Sequence, residues 1–154
     1  MKILIMGFSK IKYMPYINFY LGNIDVAAND VHLLYWNRDL MPEDTTVLKG
    51  VTLHEFLCLQ EDDTSKLSKI GSFLKYRRYA LQLLADEKFD FVIFLHSLPG
   101  VLLFDKLTKR YAGRYIFDYR DSTYEWFKPY KNIIRKLVKA SNATFVSSDA
   151  FRRF

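Results

Sequence analysis

Phe91-Val92-Ile93-Phe94-Leu95-His96 is a run of five apolar residues without alternation, closed by a histidine. A strand that is polar on one face would alternate, so a continuous run of this length is the pattern of a strand buried on both faces of a sheet. Its flanks read as helices. Upstream, Leu67, Ile70, Phe73, Leu74, Leu81 and Leu84 recur at three- and four-residue steps with Lys69, Lys75, Arg77 and Arg78 between them, which predicts a long amphipathic helix with those apolar residues facing the core. Downstream, Pro99-Gly100 predicts a helix opening there and running to about Tyr111.

Working outward, the alternation continues in both directions. Arg114 to Asp118 reads as a strand, Ser122 to Ala140 as a helix with an apolar stripe of Phe127, Tyr130, Ile133, Ile134, Leu137 and Val138, and Thr144 to Ser147 as a final strand. Toward the start, Lys2 to Gly7 is a second strand, an apolar run from Ile3 ended by the glycine, Pro15 to Leu21 a helix, Val31 to Trp36 a strand, Asn37 to Thr46 a polar loop, and Val51 to Phe56 an alternating strand nearer a sheet edge. Strands separated by helices form right-handed βαβ crossovers. The expected fold is therefore α/β, a doubly wound, Rossmann-like parallel sheet of order 3-2-1-4-5-6 in one domain, each strand with a covering helix. Near the end, Asp149 is positioned to cap a new helix, and the sequence reads as cut within it.

The chain has 154 residues, 50% of them hydrophobic and 17% aromatic. It can bury an ordinary core. The single Cys58 forms no internal disulfide, no secretory leader precedes Met1, and no apolar run nears the ~20 residues of a membrane span, so the expected compartment is the cytoplasm. The net charge of +6 is uneven: residues 1–64 hold 5 Lys/Arg against 9 Asp/Glu, and residues 65–154 hold 18 against 8. The basic half suits an anionic partner, whether lipid head groups, sugar diphosphates or nucleic acid, or simply solvated helix faces. Nucleic acid has only the charge in its favour, since no recognition motif is present.

Ligands of open parallel sheets bind beyond the carboxyl ends of the strands. The candidate residues are accordingly Gly7, Ser9 and Lys10, then Asn37 and Arg38, His96 and Ser97, Asp118 to Asp121, and Ser147 with Ser148. The first turn lacks the further glycines of a dinucleotide loop and is not a Walker loop, so no NAD or ATP is expected there. His32, His54 and His96 are scattered, and no metal site is expected. In Asp118-Tyr119-Arg120-Asp121, two carboxylates flank an arginine. Asp121 can cap the following helix and Arg120 can reach into a cleft for phosphate or hydroxyl groups; alternatively the charges merely lock the corner. An exposed functional Arg120 would cost less than about 1 kcal/mol of stability on removal.

The strand leading into Asp118-Tyr119-Arg120-Asp121 resembles the corresponding corner of the N-terminal domain of two-Rossmann-domain (GT-B class) glycosyltransferases, especially GT4-like enzymes of bacterial capsule and lipopolysaccharide assembly. Phe89 to His96 is similar to the family strand that ends in histidine, and Ala143 to Ser148 to the strand that ends in serine before the domain crossover. Two departures stand out: Gly7-Phe8-Ser9 replaces the usual glycine pair, and Asp118 stands where many relatives have histidine.

The resemblance implies an acceptor-side domain transferring sugar from a nucleotide-sugar to a lipid-linked or saccharide acceptor in cell-surface polysaccharide biosynthesis. His96, Asp118, Arg120 and Asp121 would orient the acceptor hydroxyl, with Gly7, Ser9, Lys10, Ser97 and Ser147 beside it. The domain would bind no cofactor and no nucleic acid. The nucleotide-sugar would belong to a C-terminal donor-binding domain not contained in these residues, and the fragment alone would be inactive. Peripheral contact with the anionic inner face of a membrane would fit the basic half, and Tyr13, Tyr16 and Tyr20 could stack on sugar rings, although core packing suits most of them. The competing expectation is a stand-alone binding or signalling module of flavodoxin-like or receiver type.

Overall fold

The computed structural model describes residues 1–46, 48–61, 65–120, 124 and 126–147. Six strands form one sheet: β1 (Lys2–Met6), β2 (Asp30–Asn37), β3 (Val51–Leu57), β4 (Phe91–Leu95), β5 (Tyr115–Tyr119) and β6 (Ala143–Val146). Their order is β3-β2-β1-β4-β5-β6, and every neighbouring pair is parallel. This is the doubly wound arrangement expected from the alternating pattern. It differs from the flavodoxin-like order 2-1-3-4-5. Ile3 pairs with Val31 on one side and Phe91 on the other, which puts β1 and β4 at the centre, where the chain changes winding direction.

The helices divide between the two faces. On the first face lie α2 (Lys66–Asp86), α3 (Ser97–Leu102), α4 (Phe104–Leu107) and α5 (Lys128–Ala140); α1 (Ile17–Asn23) packs on the second. The first face is rich in aromatics because Phe8, Trp36, Phe56 and Tyr76 meet edge-on or stacked beneath α2, with ring centroids 4.8–5.8 Å apart. Each large side chain so buried stabilises the fold by about 1.5–3 kcal/mol. The Tyr76 hydroxyl is satisfied by donating to the Gly7 carbonyl at 2.8 Å.

The polar loop expected between β2 and β3 is present: the described residues 38–46 and 48–50 form no helix and are held down by buried Leu48 and by Lys10, whose ammonium donates to Asp39 Oδ1 at 2.7 Å and the Met41 carbonyl at 3.0 Å. Three details depart from expectation. Helix α2 is rotated from the expected stripe. Leu84 is buried and Phe73 and Leu81 pack against the core as expected, but Ser72, Tyr76, Ala80 and Leu83 are buried with them and Leu67, Ile70 and Leu74 are exposed, because small residues at 72 and 80 admit the bulky phenol between them. Helix α3 starts at Ser97, so that Pro99 falls in the first turn, where its missing N–H goes unneeded, and the helix breaks at Leu103 before α4. A Cβ on Gly100 would stand 2.9 Å from the Phe117 ring, so glycine is what lets α3 lie against β5. Helix α5 begins at Lys128, six residues later than Ser122, with Pro129 in its first turn. Asp149 and its expected helix lie outside the described residues.

Candidate functional site

At the carboxyl ends of β4 and β5, α1 crosses the point where the winding reverses and brings Tyr16 and Tyr20 against the sheet. Tyr16 stands just before the first residue of the helix and Tyr20 lies four residues on, a spacing that sets both phenols on one side. The Tyr20 hydroxyl donates to Asp118 Oδ2 at 2.6 Å. The same carboxylate accepts from Arg120 Nε, at 2.7 Å to Oδ1 and 2.8 Å to Oδ2. The Arg120 guanidinium lies over the Tyr16 ring, 4.5 Å from its centroid, and the Tyr16 hydroxyl meets His96 Nε2. Four side chains, from β5 and from the residues just after β4 and β5 and just before α1, thus form one continuous chain of contacts, His96 to Tyr16 to Arg120 to Asp118.

Burial sorts these residues by what they can do. Asp118 is 0% exposed and both of its oxygens are engaged, so it cannot touch a ligand; it positions Arg120 and Tyr20. This corrects the expectation that Asp118 orients an acceptor hydroxyl directly. Arg120 keeps 32% of its side chain exposed. Burial works against its charge, but the hydrogen bond and attraction to Asp118 outweigh that and raise its pKa, so the guanidinium is a fixed cation at the rim. The Tyr20 hydroxyl is pushed well above its ordinary pKa, first by burial and then by donating to Asp118, and stays protonated.

His96 is the most constrained residue of the group. Its backbone has φ 77° and ψ 163°, a conformation occupied almost only by glycine and costing a side-chain-bearing residue about 1–3 kcal/mol. The turn is held on one side by its N–H, which donates to the Asp118 carbonyl at 3.0 Å, and on the other by the start of α3. The result is an imidazole aimed across the strand ends at Tyr16 when the chain would otherwise have carried it along β4. Strain retained in a polar corner is typical of positions kept for a task.

The remaining expected residues divide. Ser147, exposed after β6, donates its hydroxyl to the Arg120 carbonyl at 3.0 Å and so belongs to the corner. Ser97 is buried and accepts from the Tyr130 hydroxyl at 2.7 Å, which ties α5 to α3 and leaves Ser97 behind the site. Lys10 is also buried, and its ammonium faces Asp39, with Glu43 at 3.7 Å, in the β2–β3 loop; it is a loop clasp and not a ligand contact. Gly7 is buried and a Cβ there would collide with Met14, so its role is close packing. Ser9 is half-buried, its carbonyl accepting from the Trp36 N–H at 3.3 Å. Asp121 and Ser148 lie outside the described residues.

Sequence reasoning weighed Tyr16 and Tyr20 only as sugar-stacking or core aromatics. Their four-residue spacing on the helix after β1 was the available signal that they act as a pair on the strand ends. Among the described residues, no group of three or more His, Cys, Asp or Glu is placed to hold a metal ion, and no helix is long and apolar enough to cross a membrane. No protein-family model matches the chain, and neither a curated protein nor a solved structure matches it.

Proposed function

We propose that this chain is the acceptor-side domain of a glycosyltransferase that moves a sugar from a nucleotide-sugar to a lipid-linked or saccharide acceptor in cell-surface polysaccharide biosynthesis. The observation that carries the reading is the strained His96 joined through Tyr16 to Arg120 at the winding reversal, where open parallel sheets receive ligands. A saccharide hydroxyl needs directional partners, and His96 and Arg120 supply an imidazole and a fork of guanidinium donors held in place by buried groups. On this reading the nucleotide-sugar sits on a second, donor-binding domain facing these strand ends. The acceptor hydroxyl attacks the anomeric carbon as the bond to the diphosphate breaks, and groups on the donor side stabilise the departing charge. His96 and Arg120 hold the acceptor in line, and Asp118 and Tyr20 keep Arg120 still.

The test is a pair of titrations of the chain, one with acceptor saccharides and lipid-linked sugars, one with UDP- and GDP-sugars, followed by calorimetry and by the NMR signals of the His96 ring. Acceptors are expected to shift those signals, and nucleotide-sugars to bind weakly if at all. Stoichiometric, micromolar binding of a nucleotide-sugar would put the donor site within residues 1–154 and end the acceptor-domain reading.

A further inference from the structure

We propose that the outer face of α5, with Trp126 and Phe127 before it, is a docking surface for an anionic lipid bilayer. Residues 126–147 contain five cations, Lys128, Lys131, Arg135, Lys136 and Lys139, and no carboxylate. The helix buries Tyr130, Ile134 and Leu137 against the core and therefore turns the opposite side outward. Lys128, Arg135 and Lys139, separated by seven and four residues, fall on one exposed stripe along that side, with Lys131 and Lys136 flanking it. A cationic stripe without interspersed acids is unlike an ordinary solvated helix, in which both signs alternate, and its complement is an extended negative surface.

Two further features select a bilayer over a compact polyanion. Trp126 is 82% exposed and Phe127 51% exposed, packed against each other at a ring distance of 6.0 Å. Aromatic rings at the end of a basic amphipathic helix are the residues that settle at the level of lipid head groups. The indole also borders a shallow hollow of about 430 Å³ completed by Lys128, Lys131, Asn132 and Arg135, so cations and an apolar wedge share one concavity, as a head group with its acyl boundary requires. Because β5 and β6 are parallel, α5 runs back from the carboxyl edge of the sheet, and its first turn is fastened there by the Tyr130 to Ser97 hydrogen bond. The aromatic pair therefore lies at the same end as His96 and Arg120. Docking by this face deepens the acceptor reading by making the acceptor lipid-borne, and rests on that reading for this step alone.

The experiment is vesicle binding by the whole chain, with phosphatidylcholine vesicles against vesicles that also contain phosphatidylglycerol, read by co-sedimentation and by indole emission. Trp36 is 0% exposed, so a blue shift on binding reports Trp126 and disappears in Trp126→Phe. Binding is expected only with phosphatidylglycerol and is expected to weaken with salt. The triple variant Lys128→Gln, Arg135→Gln, Lys139→Gln keeps good helix formers at exposed positions and is expected to bind about a hundredfold more weakly, with its circular dichroism unchanged. In the unaltered chain, acyl-brominated lipid should quench Trp126. Equal binding to neutral vesicles, no binding at low salt, or no quenching by brominated lipid overturns the proposal. So does displacement by short RNA at equal charge, which would make the face a nucleic-acid surface. None of these measurements involves sugar transfer, so the result is independent of whether the acceptor reading survives.

Discussion

Replacing Arg120 by alanine is expected to unfold this domain more readily than any exposed arginine should. Asp118 is 0% exposed and receives Arg120 Nε at 2.7 and 2.8 Å, so the substitution leaves a buried carboxylate whose remaining donor among the described residues is Tyr20. Breaking a buried pair from one side costs about 3–5 kcal/mol. Arg120 is itself 32% exposed and the Tyr20 bond survives, which puts the cost near the lower end, about 3 kcal/mol. That is a large share of the roughly 5–15 kcal/mol stability of a typical domain, and at this size it lowers the melting temperature by about 6–12 °C. Asp118→Asn alone should cost about 2 kcal/mol, since it strands a guanidinium that still reaches water. The double variant should cost less than the sum, with a coupling of about 2 kcal/mol, because a neutral amide no longer needs the cation. Urea unfolding followed by circular dichroism, on the four proteins of this cycle, measures all three values. A loss under 1 kcal/mol for Arg120→Ala, or additive single effects, would refute the argument that this pair holds the corner.

Other expectations follow from single contacts. His96→Gly relieves the backbone strain at φ 77° and should leave the chain as stable or about 1 kcal/mol more stable, while abolishing the response of the site to acceptor saccharides; a destabilised glycine variant would contradict the strain. Gly100→Ala sets a methyl group 2.9 Å from the Phe117 ring and 3.4 Å from Leu137, so it should cost about 1–3 kcal/mol by chemical denaturation, and a neutral result would mean that α3 does not rest on β5. At the amino end of the sheet, His32 Nδ1 and His54 Nε2 are 2.7 Å apart, with Asp30, Lys2 and Glu87 around them. Burial, and then the neighbouring His32, hold the His54 pKa below its ordinary 6.5. The unfolded chain therefore takes up a proton before the folded one, so this contribution to stability is complete above pH 6.5 and is lost as the pH falls below it. Melting temperatures between pH 8 and pH 5 should decline accordingly and decline less in His54→Asn; equal slopes would contradict the assignment.

Much of the fold was written locally. Phe91 to Leu95 and Ile3 to Met6 are apolar without alternation, the pattern of a strand covered on both faces, as in a parallel sheet with helices on each side. With helices between the strands, the handedness of crossovers leaves few possible orders, and 3-2-1-4-5-6 is the one observed. His96, Arg120 and Ser147 were legible as candidates for the same reason, since each follows a strand. Their division of labour was not legible. Spacing along the chain could not tell that Lys10 would turn toward Asp39, that Ser97 would meet Tyr130, or that Asp118 would be sealed beneath Tyr20, because every one of these partners is 29 or more residues away. Nor could helical periodicity choose the inner face of α2, where Tyr76 between small residues displaced the more hydrophobic Ile70 and Leu74. The sequence by itself determined which segments are strands and helices and at which end of the sheet polar residues collect, because those properties depend on period and on near neighbours. Only the tertiary structure decided which of those polar residues face solvent and which are consumed in holding the others, because an ion pair or a buried hydroxyl is satisfied by whatever distant group the packed sheet brings within about 3 Å.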